Sequence, residues 1–213
     1  MTSQKVDFKK AQKELYQAKT NPTIIDVPEM PFIMVNGKGN PNTSAAYKQA
    51  LDLLYALSYT IKMSPKQNDA PDGYFDYVVA PLEGLWWLPN DASPFSGHLD
   101  KDQFNWTAMI RQPDFVTVAV FEHFREIVQE KKPTLDVSLA RLEMLSEGLC
   151  GQIMHIGSYD DEPATIKTLD DFIVASGHRV DISATRRHHE IYLSDPRRVA
   201  PEKLKTVIRH PIQ

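Results

Sequence analysis

The chain has 213 residues, of which 42% are hydrophobic, 9% aromatic and 24% charged, a balance that supports a folded core and excludes a disordered chain. Lys and Arg number 24 against 28 Asp and Glu, for a formal charge of −4, so no overall field draws the protein to nucleic acid phosphates. No apolar run reaches the roughly 18 residues of a membrane span, and the polar start Met1–Asp7 lacks a secretory signal; the expectation is a cytoplasmic protein without nucleic acid or membrane partners.

Residues 1–20 place Phe8, Ala11, Leu15 and Tyr16 at helical spacing among lysines, which reads as an amphipathic N-terminal arm. Thr23–Val27 and Phe32–Gly37 read as two paired strands around Pro28 and Pro31. Asn42-Thr43-Ser44 offers cap oxygens for a helix on which Tyr47, Ala50, Leu51, Leu54, Leu57 and Ile61 repeat, ending before Pro65. Tyr74–Leu88 and Phe104–Ile110 read as a hairpin with a long connection over 89–102. Between 114 and 132, Val116, Val118 and Val120 favour a strand. Val120, Phe124, Ile127 and Val128 favour a helix, and we take the helix.

The second part repeats the plan with strand Leu135–Leu145, a turn at Glu147-Gly148, strand Gly151–Ile156, a helix opened by Asp161-Glu162-Pro163, and strands Arg187–Leu193 and Leu204–Arg209. Laid so that Ile33 falls on Ile153, the segments 33–37 and 153–157 align, each followed by a loop and a helix. The expected fold class is α+β: duplicated β-α-β-β modules, a mainly antiparallel sheet with helices on one side, and a ligand groove between the halves. The expected domain is 21–213, with half-modules of about 21–113 and 134–213 joined by the helix 114–132.

Glu83 lies among Leu82, Leu85, Trp86 and Trp87, where burial would raise its pKa into the range of a general acid or base; the alternative is the solvent side of an edge strand. Strand alternation puts His188, Glu190 and Tyr192 on one face and His189, Ile191 and Leu193 on the other. With the aliphatic set against the helices, the first set faces the groove. There a carboxylate beside a phenol positions a water or binds a cation, unless the set is a structural hydrogen-bond ladder. Trp86, Trp87 and Trp106 are candidate aromatic walls or plain core, with one of the adjacent pair facing each way. His155 reads as a ligand donor or a satisfied core histidine, and Tyr159 as a pocket rim. Arg186-Arg187-His188-His189 with Arg197-Arg198 reads as a solvated rim.

No cofactor or metal is expected. His188 and His189 point to opposite faces, the single Cys150 permits no disulfide framework or multi-cysteine zinc site and has no evident base beside it, and no phosphate loop, dinucleotide fingerprint or nucleophile elbow occurs.

The segments Pro81–Trp87, Trp106–Pro113, Glu147–Gly157 and His188–Pro196 together resemble the gyrase-inhibitor-like (GyrI-like) small-molecule-binding family, most closely its stand-alone branch, which also retains Leu204–Pro211. The resemblance implies a duplicated β-α-β-β module around a ligand groove. Relatives serve as ligand sensors joined to helix-turn-helix regions, whereas only about twenty residues precede the first strand here. Some stand-alone members resemble hydrolases that open the activated cyclopropane of DNA-alkylating natural products, which implies a detoxifying enzyme acting on a planar aromatic or hydrophobic small molecule. Glu83 and Glu190 are then the carboxylate candidates and Tyr192 the donor, the family's groove carboxylate corresponding to Glu190. A non-catalytic ligand-binding or sequestering protein and a gyrase-interacting inhibitor are the alternative readings.

Overall fold

A computed structural model describes residues 5–89 and 100–213. Its strands are β1 (Thr23–Val27), β2 (Met30–Lys38), β3 (Leu82–Trp87), β4 (Asn105–Arg111), β5 (Ala140–Leu145), β6 (Gly148–Ile156), β7 (His188–Tyr192) and β8 (Lys205–Pro211). Its α-helices are α1 (Phe8–Ala11), α2 (Lys13–Tyr16), α3 (Ala45–Met63), α4 (Val118–Lys131) and α5 (Glu162–Ala175).

The helices begin where local chemistry allows. Ser44 Oγ accepts from the Tyr47 amide at 3.3 Å, and the periodic Tyr47, Ala50, Leu54, Leu57 and Ile61 form the buried stripe of α3. In the ambiguous valine run, Thr117 accepts from the Val120 amide and Phe121, Phe124 and Val128 are buried. Cap and helical stripe together override the strand propensity of the valines. Pro163 sits in the first turn of α5, where its missing amide hydrogen costs nothing.

All eight strands join one antiparallel sheet in the order β1-β6-β8-β7-β3-β4-β2-β5. The order is symmetrical about the β7–β3 pair. On one side stand β6, β7 and β8 with α5, on the other β2, β3 and β4 with α3, an arrangement consistent with duplication.

The expected β1–β2 pairing does not occur: β1 pairs with β6, and β5 pairs with β2. Only Pro28 and Glu29 separate β1 from β2, and only Ser146 and Glu147 separate β5 from β6. Six strand spacings in a flat sheet would be about 29 Å, whereas three residues reach only about 10 Å. The sheet must therefore curl until its two ends approach. The halves accordingly join edge to edge at β3–β7 instead of stacking face on face.

One face of the curl is sealed by the N-terminal arm. Arg209 donates to Glu147 (2.8 Å), to the Leu15 carbonyl (2.9 Å) and to Gln152 (3.3 Å), while Gln152 donates to the Glu14 carbonyl (2.7 Å). Arg111 donates to Gln12 and to Tyr16, and its guanidinium lies over the Phe8 ring. His189 Nδ1 meets Glu147 at 2.9 Å, and its Nε2 forms an ion-pair contact of 2.9 Å with Glu83. Burial opposes charge on His189, but Glu147 and Glu83 override it and push the pKa up to about 9. Burial would likewise raise Glu147, yet His189 and Arg209 hold it down at about 2.

This cluster predicts how stability responds to pH. His189's contribution is complete below its ordinary pKa of 6.5 and is lost as pH rises through about 9. Urea unfolding should show stability falling across that interval; a rise would contradict the assignment. At neutral pH, Glu147→Gln should cost about 3–5 kcal/mol, because Arg209 and His189 are left buried beside a neutral group, and the alkaline fall should flatten.

Candidate functional site

The opposite face carries α3 and α5. Helix α3 packs on β2 and β4 and α5 on β6, so the seam strands β7 and β3 lie between the helices. Register places Gly84 opposite Glu190, Trp86 opposite His188, and Tyr192 opposite Thr206. The shared face expected for His188, Glu190 and Tyr192 is present, but it is the helix-bearing face, and the set with His189 and Ile191 lies beneath the arm. Alternation sorts residues into two sets without saying which set meets a helix.

Glu190 is only 6% exposed. It accepts from Tyr192 Oη at 2.6 Å, meets His188 Nε2 at 3.0 Å, and is hydrogen-bonded to Glu162 at the start of α5. Burial alone would raise its pKa; the donors around it lower it instead. Glu162, 2% exposed, shows the converse: burial and the Glu190 charge push its pKa well above the usual carboxylate range. Burial and their mutual repulsion, set against the donors on Glu190, thus push the two carboxyls apart in pKa, Glu162 upward and Glu190 downward. Glu162 Oε1 is buried without a hydrogen-bond partner, an acid oxygen that calls for a ligand or water.

The walls are aromatic. Trp86 Nε1 donates to Tyr192 Oη at 2.9 Å, and Tyr47 from α3 packs on Trp86 and edge-on against Trp106 at 4.9 Å between ring centroids. Tyr159 stands edge-on to Tyr192 at 5.8 Å, and burial raises its pKa to about 12. Gly84 makes the fit possible: a Cβ there would lie 2.7 Å from Trp86 Nε1 and 3.1 Å from Tyr192 Oη. Lys101 bridges to Asp160 at 2.5 Å, and its charge favours the ionised form of Glu162.

The structure therefore brings Glu190, Tyr192, Trp86, Trp106, His188 and Tyr159 together. Glu83 is not among them. It is 1% exposed on the other side of the sheet, pairs with His189 and Tyr16, and does not flank a common site with Glu190, because neighbouring β3 residues alternate faces. Trp87 also faces away, with Arg187 stacked over its ring at 4.6 Å. His155 shares the helix-bearing face, but its ring nitrogens meet Thr165 Oγ1 at 2.8 Å and the Ser158 carbonyl at 2.9 Å; this satisfied histidine ties β6 to α5 instead of reaching a ligand. Arg197 and Arg198 are exposed and paired with Asp195, as a solvated rim requires. The other part of the expected rim is not one: His188 and His189 are fully buried, and Arg186 is held by Asp181 and by the carbonyls of Ile212, Glu147 and Leu149. Sequence reasoning missed Glu162 and Tyr47 as members of this cluster.

A surface hollow of about 760 Å³ opens elsewhere, on the outer side of α3 between Tyr55, Tyr59, Met63 and Leu135. It holds no comparable acid pair. Among the described residues, no three His, Cys, Asp or Glu side chains are grouped to hold a metal, and no helix is long and apolar enough to cross a membrane.

A curled antiparallel sheet carries two helices, with a buried ionisable pair walled by aromatic rings between them. The chain belongs to the GyrI-like small molecule binding domain family, whose profile matches residues 20–213. It is similar to a crystal structure described as a hydrolase from Listeria innocua (45% identity, TM-score 0.90, 98% of this chain and 100% of that one). It is also similar to an uncharacterized conserved protein from Listeria innocua (46% identity, TM-score 0.92, with the same coverage). The EcmrR C-terminal domain, at 9% identity and TM-score 0.51 over 90% of this chain and 96% of that one, shares the fold. No functionally curated protein matches the chain.

Removing the Tyr192 hydroxyl should expose the site's dependence on its hydrogen bonds. Tyr192→Phe leaves Trp86 Nε1 without its acceptor and Glu190 without a donor, so a loss of about 1–3 kcal/mol is expected by urea unfolding. An unchanged midpoint would mean that these contacts are not formed.

Proposed function

We propose that the protein is a cytoplasmic detoxifying hydrolase that opens the activated cyclopropane of a planar aromatic electrophile, with residues 21–213 as the binding domain built from two half-modules. The observation that carries this reading is the buried Glu162–Glu190 contact, two carboxyls whose pKa values are pushed in opposite directions, with one unpartnered oxygen on Glu162 and aromatic rings around them. The hydrolase description of the Listeria innocua structure supports the reaction class.

A cyclopropane conjugated to a dienone is opened by water attacking a ring methylene. The carbon–carbon bond breaks, its electron pair passes to the carbonyl oxygen, and the attacking water loses a proton. Glu190 is the carboxylate that accepts that proton, and Glu162 supplies one to the oxygen as negative charge develops there. Water is consumed and a ring-opened alcohol and a phenol result, with no net proton change. Trp86, Tyr47 and Tyr159 stack on the planar substrate, and Tyr192 holds Glu190 in place.

Glu190 also carries a fixed negative charge held by several donors, which favours a second reading, a non-catalytic receptor for a cationic aromatic ligand. Turnover separates the two. With a spirocyclopropyl dienone as probe, a hydrolase forms many equivalents of ring-opened product. Glu190→Gln and Glu162→Gln should each lower kcat by about 100-fold or more while keeping ligand affinity within about tenfold. Product that never exceeds one equivalent would reject catalysis and leave the receptor.

A further inference from the structure

Behind Glu190 runs a line of polar groups that the proposed chemistry does not use. His188 Nε2 lies 3.0 Å from Glu190 Oε1, His188 Nδ1 lies 2.7 Å from His210 Nε2, and His210 Nδ1 lies 2.6 Å from Asp170 Oδ1. The line crosses β7, β8 and α5. Its inner members are sealed, with His188 0% and His210 1% exposed, while the Asp170 side chain is 40% exposed. One end therefore meets solvent and the other meets the acid pair.

We propose that Asp170, His210 and His188 form a proton relay that carries a proton between Glu190, which is itself buried, and bulk water. The inference rests on the hydrolase reading above.

Proton counting gives the relay its logic. Three contacts in series need three shared hydrogens, one more than two neutral imidazoles carry. With that extra proton on Glu190, each imidazole accepts on Nε2 and donates from Nδ1 toward Asp170. Outward transfer then breaks the Glu190 O–H bond and forms His188 Nε2–H, breaks His188 Nδ1–H and forms His210 Nε2–H, and breaks His210 Nδ1–H and forms the Asp170 O–H bond. Asp170 releases that proton to water, and a proton entering by the reverse sequence restores the acid pair and returns both imidazoles to accepting on Nε2, so the cycle has no net proton change. Every bond broken is matched by one formed, and no oxidant or other reactant is required.

The surroundings suit the task. Glu190 is faced by His188 and Tyr192 from β7, Glu162 from α5, Tyr159 from the turn before α5 and Tyr47 from α3. His210 is faced by His188 and Asp170, and His189, charged on the reverse side of the sheet, adds to the pressure against charge on His188. Burial above all keeps His188 uncharged, with its pKa lowered to about 4, so it passes a proton on without retaining it.

Asp170 and His210 are thus positioning residues, far enough from the enclosure to be altered without touching ligand. Asp170→Asn, at a half-exposed position, should lower kcat by about tenfold or more with KM within about threefold, and should move the pH profile of kcat. His210→Gln should do the same, and Asp170→Glu should recover part of the rate. Wild-type kcat and pH profile in both Asp170→Asn and His210→Gln, with both variants folded by urea unfolding, would overturn the relay. A second readout needs no turnover: ¹⁵N-imidazole resonances of His188, 2.7 Å beyond His210, should change tautomer or titration on Asp170→Asn, and unchanged resonances would also overturn it. If Glu190→Gln turned over normally, the hydrolase reading would fail instead, while the imidazole spectra would still decide whether Glu190 and Asp170 are coupled.

Discussion

The pairing of β3 with β7 governs everything else in this molecule. It joins the halves edge to edge and sets Gly84 against Glu190 and Trp86 against His188. Because side chains alternate along each strand, one register decides the fate of every polar residue at the seam. His188 and His189 are sequence neighbours, yet one lies among acids and aromatic rings below α3 and α5 and is held uncharged. The other is clamped between Glu83 and Glu147 under the arm and is held charged. A slip of one residue would exchange the two environments.

The two buried clusters differ in how their charges close. Beneath the arm, Glu147 meets Arg209 and His189, and Glu83 meets His189, so each carboxylate has a cationic partner and the cluster is a structural lock. Between the helices, Glu162 and Glu190 have no arginine or lysine within salt-bridge distance among the described residues, and burial with mutual repulsion drives the Glu162 pKa up while hydrogen-bond donors hold that of Glu190 down. An incompletely satisfied acid pair costs stability, and such costs persist where function needs them. The chemistry is thus read from the cluster that is left open.

Much of this was legible in the sequence, for identifiable reasons. Helical spacing located α3 and α5 because their buried stripes repeat every three to four residues. Alternation placed His188, Glu190 and Tyr192 on one face. Glu162 escaped notice because an acid just before Pro163 reads as an ordinary first-turn residue, and only tertiary packing brings it to Glu190. Glu83 misled because an acid among tryptophans announces burial without naming its face; the Gly84–Glu190 register that excludes it joins residues more than a hundred positions apart. The exchange of β1 and β5 was hidden for a similar reason, since a two-residue connection suggests a hairpin until the curl of the whole sheet is known.

The claim at the centre of this account is that, at neutral pH and without ligand, Glu162 is a neutral acid bonded to an ionised Glu190. Infrared difference spectroscopy with carboxyl-labelled glutamate measures it directly. The account predicts the carbonyl stretch of a protonated carboxylic acid at pH 7 that disappears in Glu162→Gln. A spectrum showing only ionised carboxylates at that pH would contradict it.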